Sequence, residues 1–295
     1  MFSVRNVLIA PFLLLPLAIA VGDENKTAKT PAERKAAIER FLPTAKEEAH
    51  RLINLNNAYL AKELAARASI DPLLDDTERL RAKLKEIIKA QKSVYTDLPI
   101  KYSGKADVVD ILSKNQLLRI SILMDDLLNG SLVKDIGRII DSANENEEAG
   151  GLVLIKKGKV HFKALPNAST GTGSPRFIAN YLFPDDSFKE PHLFLFHTHP
   201  FIKGQGSSSG PSWDIRGNRY GVVVLGDLGV VSAMAKQDGE SHHLVISTFG
   251  DPRDKMFNIH YFGGEAVNAK APENGFDVES MLSHMRVLGL GRFKY

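Results

Sequence analysis

From residue 32 to about residue 143 the apolar positions follow helical spacing, whereas beyond residue 150 they gather in short blocks of strand length. Ala32–Ala61 is rich in helix formers, with Pro31 suited to a first turn and Pro43 as an interruption. Asp71-Pro72 opens a new element in which Leu80, Leu84, Ile87 and Ile88 recur at three and four, which predicts an amphipathic helix. Pro99 and Gly104 mark Tyr95–Gly104 as a linker. Helix is predicted again from about Ala106 to Leu128, ended by Asn129-Gly130. Ser131 then caps a helix over Leu132–Ala143, with Ile136, Ile139 and Ile140 on one face.

The pattern changes at Ala149-Gly150-Gly151. The run LVLIKKGKVHFKAL reads as a hairpin turning at Lys157-Gly158, and a polar loop, PNASTGTGSPR, follows. HLFLF (192–196), YGVVVLG (220–226), VVSAMA (230–235) and HHLVIST (242–248) are further strand candidates, and a last helix is expected over roughly Val278–Leu288. Strands with few helices between them predict an α/β (α+β) domain built on one mixed sheet.

The first twenty residues stand apart. One positive charge at Arg5 precedes an apolar run from Val7 that closes on Ala18-Ile19-Ala20, the small-x-small pattern of a cleaved export signal. That run is short of the roughly twenty apolar residues a membrane helix needs. The expected organisation is therefore a signal peptide at 1–20, a helical region at 21–130 and an α/β domain at 131–295, in a periplasmic or secreted protein.

Composition narrows the chemistry. The 295 residues carry a net charge of only +3, so nothing in the charge calls for nucleic acid as a partner. There are no cysteines, which removes disulfides, thiolate nucleophiles, Fe–S clusters and thiolate zinc sites. The chain lacks the glycine signatures of nucleotide binding and the Gly-x-Ser-x-Gly elbow of α/β-hydrolases. Metal chemistry, if present, must use nitrogen and oxygen ligands.

One candidate set answers to that. His197 and His199 leave a strand two residues apart, so both imidazoles share a face and can reach one ion. Pro200 biases the exit toward extended geometry. Asp214, after a Gly/Ser-rich loop, supplies a hard oxygen ligand, and His2Asp with an open fourth position is a catalytic zinc arrangement. Ser212 stands beside it to hold a substrate oxygen. Glu147-Glu148 precede the first strand of the domain, where a carboxylate can take the proton of an attacking water and return it to the leaving amine. His242 and His243 are adjacent and point to opposite strand faces; they, with His161, His192, His260 and His284, read as structural or exposed. Trp213 reads as packing.

The order Glu148-Ala149-Gly150-Gly151, strand, His197-Thr198-His199-Pro200, then serine and aspartate resembles the motif of JAMM-type (MPN-like) zinc metallopeptidases, and more narrowly their exported or toxin-associated bacterial branch. The likeness spans Glu148 to Asp214 and would extend over 131–295; residues 21–130 have no counterpart in it. The resemblance implies a cytidine-deaminase-like fold, zinc held by His197, His199 and Asp214, Glu148 as general base, a serine assisting the oxyanion, and hydrolysis of a peptide, isopeptide or related amide bond. The family's Ser-x-x-Asp is one residue shorter here, Ser212-Trp213-Asp214, with Ser209 as the alternative serine. Two other readings stand beside the peptidase: a non-catalytic binding or scaffold protein docking a partner through its N-terminal helices, and a secreted toxin or effector.

Overall fold

The computed structural model describes residues 57–67, 76–91, 108–142, 148–165, 192–199, 215–217, 223–225, 240–248, 252–265 and 285–295, together with Asn54, Ser69 and Gly210. The export signal, the stretch 32–53, Tyr95–Gly104, the candidate strand 230–235, Ser209, Ser212, Trp213 and Asp214 lie outside the described residues.

The described chain is a mixed α/β structure in which helices pack on a six-stranded mixed sheet. The helices are α1 (57–67), α2 (Thr77–Ala90), α3 (Lys114–Leu128) and α4 (Ser131–Ser142). The strands are β1 (Gly150–Lys156), β2 (Lys159–Leu165), β3 (His192–His199), β4 (Ile215–Gly217), β5 (Val223–Leu225), β6 (Glu240–Thr248), β7 (Met256–Glu265) and β8 (Met285–Lys294). The main sheet runs β2-β1-β3-β6-β7-β8, with β3 and β6 parallel and every other pair antiparallel; β4 and β5 form a separate pair. No described helix is long and apolar enough to cross a membrane.

Local chemistry sets the element ends. Asp76 caps α2 by accepting from the Arg79 N–H at 3.1 Å. The expected helix from Ala106 is corrected at its start: Val108–Ile111 is a 3-10 turn, and the α-helix begins only after Ser113. The cause is a capping box, in which the Gln116 N–H donates to Ser113 Oγ (3.1 Å) and the Ser113 N–H to Gln116 Oε1 (2.9 Å). Gly130, at φ 81°, turns α3 into α4, its N–H bonded to the Leu127 carbonyl at 3.0 Å. Lys157 and Gly158 both take positive φ, the geometry of a two-residue hairpin turn, so β1 and β2 pair from Lys156↔Lys159 to Gly150↔Leu165.

Two expectations for the C-terminal part are revised. The predicted helix Val278–Leu288 does not hold over its last residues, because β8 is extended from Met285 and pairs with β7 throughout. β7 itself went unpredicted. Its sequence, MFNIHYFGGE, alternates weakly and ends on two glycines, yet it is a central strand.

The two faces of the sheet differ. Val153, Ile155, Phe194, Phe196, Leu244, Ile246, Phe257, Ile259, Tyr261, Leu288, Leu290 and Phe293 join Leu60, Leu80, Leu84, Leu117, Ile120, Leu123 and Ile136 of the helices in one core. The packing thus crosses residue 130: α4 lies against β2, while α2 and the Val108–Ile111 turn reach β8. Gly291 has no side chain because Gln91, at the end of α2, occupies the place where a Cβ would stand, 2.8 Å from its own Cβ. Arg67 ties α1 to α3 and to the hairpin, its Nη2 on Asp126 Oδ1 at 3.0 Å and its Nη1 on the Gly158 carbonyl. Asp126 also accepts from the Val160 N–H at 2.8 Å. Arg119, buried in α3, donates to the Leu193 carbonyl at 2.7 Å and so anchors the start of β3.

Candidate metal centre on the opposite sheet face

Alternation along β3 sends Phe194, Phe196 and Thr198 toward the helices and Leu195, His197 and His199 to the other face. Register carries that face across the sheet. Leu195, His197 and His199 pair with His243, Val245 and Ser247 of β6, which pair in turn with Phe262, His260 and Asn258 of β7. This face is therefore unusually polar for a buried one: His197, His199, His243, Ser247, Asn258 and His260 are all buried. Phe262 is its apolar wall, its ring centroid 6.3 Å from that of His197 and 5.4 Å from that of His243. As adjacent residues must, His242 points the other way, its Nδ1 at 3.1 Å from the Tyr261 hydroxyl.

His197 and His199 come together. Their Nε2 atoms lie 3.1 Å apart, with the rings inclined at 61°. Two imidazole nitrogens that close share a proton or a cation, since two bare lone pairs would repel. Two nitrogens bound to one tetrahedral zinc at 2.0–2.1 Å would be separated by about 3.3–3.4 Å. The pair is therefore pre-set at chelating distance. Gly150, the register partner of His197, has no side chain to crowd it from β1.

β1 and β3 end on an unusual rung. The Thr198 N–H donates to the Ala149 carbonyl at 2.7 Å, and the Ala149 N–H returns a bond to the Thr198 side chain, Oγ1, at 2.8 Å. A side-chain oxygen thus stands where a backbone carbonyl would normally accept. Glu148, the residue before this rung, is half-buried and stands just ahead of β1. At the same strand exit, on its other side, Thr248 Oγ1 of β6 donates to the His199 carbonyl at 3.2 Å.

No family model, curated protein or solved structure matches this chain.

Among the described residues, no group of three His, Asp or Glu side chains converges as a metal site. Asp214 immediately precedes β4, which starts at Ile215, and both it and Ser212 lie outside the described residues. Sequence reasoning passed over Thr198, whose role depends on a rung that only register reveals. It also passed over Ser247, Asn258 and Arg292, which share the face with the imidazoles but lie on three different strands. The second glycine of the Glu-Ala-Gly-Gly run has a packing reason: a Cβ on Gly151 would lie 2.0 Å from the Lys163 carbonyl oxygen.

Proposed function

We propose that the chain is an exported zinc-dependent hydrolase of the JAMM (MPN-like) type that cleaves a peptide or related amide bond. The observation carrying this reading is the 3.1 Å approach of the His197 and His199 Nε2 atoms, with Glu148 next to the Ala149–Thr198 rung where β1 and β3 end. His197 and His199 would hold the ion by nitrogen, with Asp214 completing the set through a carboxylate oxygen. When bound, zinc supplies Lewis-acid charge to the reacting carbonyl and lowers the pKa of water. Glu148 is the general base: its carboxylate takes a proton from the attacking water and hands it to the leaving nitrogen. Ser212 donates a hydrogen bond to the oxyanion. Thr198 positions Glu148 through Ala149 and does not touch the substrate.

The test has two stages. Zinc titration of the purified protein against a chromogenic chelator should give about one tight equivalent, lost in the His197→Ala/His199→Ala variant. Glu148→Gln should retain that metal while losing at least about a hundredfold in amide hydrolysis. A folded protein that takes up no zinc defeats the metal reading. Zinc binding together with undiminished hydrolysis in the Glu148→Gln variant defeats the base assignment.

A further inference from the structure

Resting on that reading of the histidine pair, we infer that the sheet face beside it contains a carboxylate-binding subsite, made by Ser247, Asn258 and Arg292. The natural substrate is accordingly a peptide with a free C-terminal carboxylate about three residues beyond the bond that is cut.

The argument begins with register. His199 pairs with Ser247, Ser247 with Asn258, and Asn258 with Arg292, so four adjacent strands place one polar row on the histidine face. The neighbouring rows are different in kind. His197 leads to Val245, His260 and Gly289, and Leu195 leads to His243, Phe262 and Val287. Of these three rows, only the one level with His199 is polar across its length.

Exposure grades along that row. Ser247 is 0% exposed and Asn258 8%, whereas Arg292 is exposed. Ser247 Oγ is buried with no hydrogen-bond partner. A buried hydroxyl without a partner is destabilising, and alanine at that position would avoid the cost. Such a group is explained if a ligand supplies the missing partner. Arg292 is oriented: its Nε donates to Asn258 Oδ1 at 3.2 Å. That bond fixes the plane of the guanidinium and draws it back over β7. It also leaves the Asn258 amide directed through Nδ2, a donor. The row therefore runs from the two imidazoles through a hydroxyl and an amide donor to a cation at the solvent edge. Its chemistry matches a peptide carbonyl followed by a carboxylate.

Spacing sets the length. Strands lie about 4.8 Å apart, so Asn258 stands roughly 10 Å from His199 across the sheet. An extended peptide advances about 3.3 Å per residue, so a carboxylate held above Asn258 and Arg292 falls about three residues past an amide held at the imidazoles. Hydrolysis there adds the water's hydroxyl to the acyl carbon, breaks the C–N bond and leaves the water's proton on the departing amine. The product is a tripeptide carrying the original C-terminus.

The experiment uses the full chain and two probes, an N-terminally dansylated tetra-alanine with a free C-terminus and the same peptide as its C-terminal amide. Binding is read by fluorescence anisotropy on the His197→Ala/His199→Ala protein without metal, and cleavage by product analysis on the zinc-loaded protein. The free acid should bind at least about tenfold more tightly than the amide, the scale of one charge-assisted contact. Arg292→Ala should erase that difference, and Arg292→Lys should restore part of it. Ser247→Ala should raise thermal stability while weakening the acid peptide, a combination that a purely structural serine would not give. Cleavage should release trialanine. Equal binding of acid and amide, binding of neither, or discrimination that survives Arg292→Ala overturns the subsite. Because the binding arm needs no metal, failure to bind zinc would instead count against the proposed hydrolase and leave this result separately readable.

Discussion

Replacing Thr198 by valine tests how the candidate base is held. Valine keeps the β-branched shape but removes the oxygen that accepts from the Ala149 N–H at 2.8 Å. Ala149 and Thr198 are both buried, 7% and 3% exposed, so water cannot easily take over the abandoned donor. Leaving a buried N–H unsatisfied costs about 1–3 kcal/mol. The reciprocal bond from the Thr198 N–H to the Ala149 carbonyl is backbone and survives. We therefore expect a stability loss of that size in urea denaturation, equivalent to a fall in Tm of roughly 2–8 °C. The sharper assay is amide hydrogen exchange. The Ala149 N–H should exchange about ten- to a hundredfold faster in Thr198→Val, while Thr198→Ser, which retains the oxygen, should keep its protection. If Glu148 is positioned through this rung, Thr198→Val should also lower kcat with zinc affinity unchanged. An Ala149 amide equally protected in the valine protein, with stability within about 0.5 kcal/mol of the parent, would refute the reasoning.

Other outcomes follow from the same structure. Gly151→Ala should be costly, about 2–4 kcal/mol by denaturation, because its Cβ would press within 2.0 Å of the Lys163 carbonyl and force β1 from β2; Gly158→Ala, with open space around it but φ 72°, should cost only about 1–2 kcal/mol, and equal losses would mean that crowding is not the cause. Burial, followed by the nearby Asp141 carboxylate, raises the Tyr295 hydroxyl from 10.0 to about 12. The folded state then holds this proton more tightly than the unfolded one, so its contribution is full below pH 10 and is lost as pH rises toward 12. Denaturation between about pH 9 and pH 11 should show that slope in the parent and a shallower one in Tyr295→Phe; identical slopes would remove Tyr295 from the account. A fragment of residues 131–295 should fail to fold, since each of Phe194, Phe196, Ile246 and Tyr261 forfeits up to about 1.5–3 kcal/mol when α1, α2 and α3 are removed, against a net stability of about 5–15 kcal/mol. A cooperative thermal transition in that fragment would show the helical layer to be dispensable.

Much of the framework could be read from local pattern, because local chemistry produces it. The stripe of Leu80, Leu84, Ile87 and Ile88, the Lys157-Gly158 turn and the His197-x-His199 spacing each depend on neighbours within a few residues, and each appears in the structure as a helix, a hairpin or a shared face. What escaped depends on distance along the chain. The start of α3 was displaced because Ser113 and Gln116 cap one another, a two-residue device that outweighs the helical composition before it. β7 is a strand because β6 and β8 pair with it on both sides, and its own residues signal this poorly. The polar row through Ser247, Asn258 and Arg292 has no periodicity within any one strand. It exists only in register.

The contact between Gln91 and Gly291 also bears on how the chain folds in time. α2 is among the first described elements to be synthesised and β8 the last, yet the two are in direct contact, and the core beneath them includes Leu80 and Leu84 from one and Leu288 and Leu290 from the other. The early helices therefore have no finished surface to rest on until every strand of the main sheet has been made and aligned. Contacts so distant in sequence make for slow folding. A nascent chain of this design stays unfolded while it is made, the state in which a polypeptide can still be threaded through a narrow passage, and it gains its rigidity only afterwards.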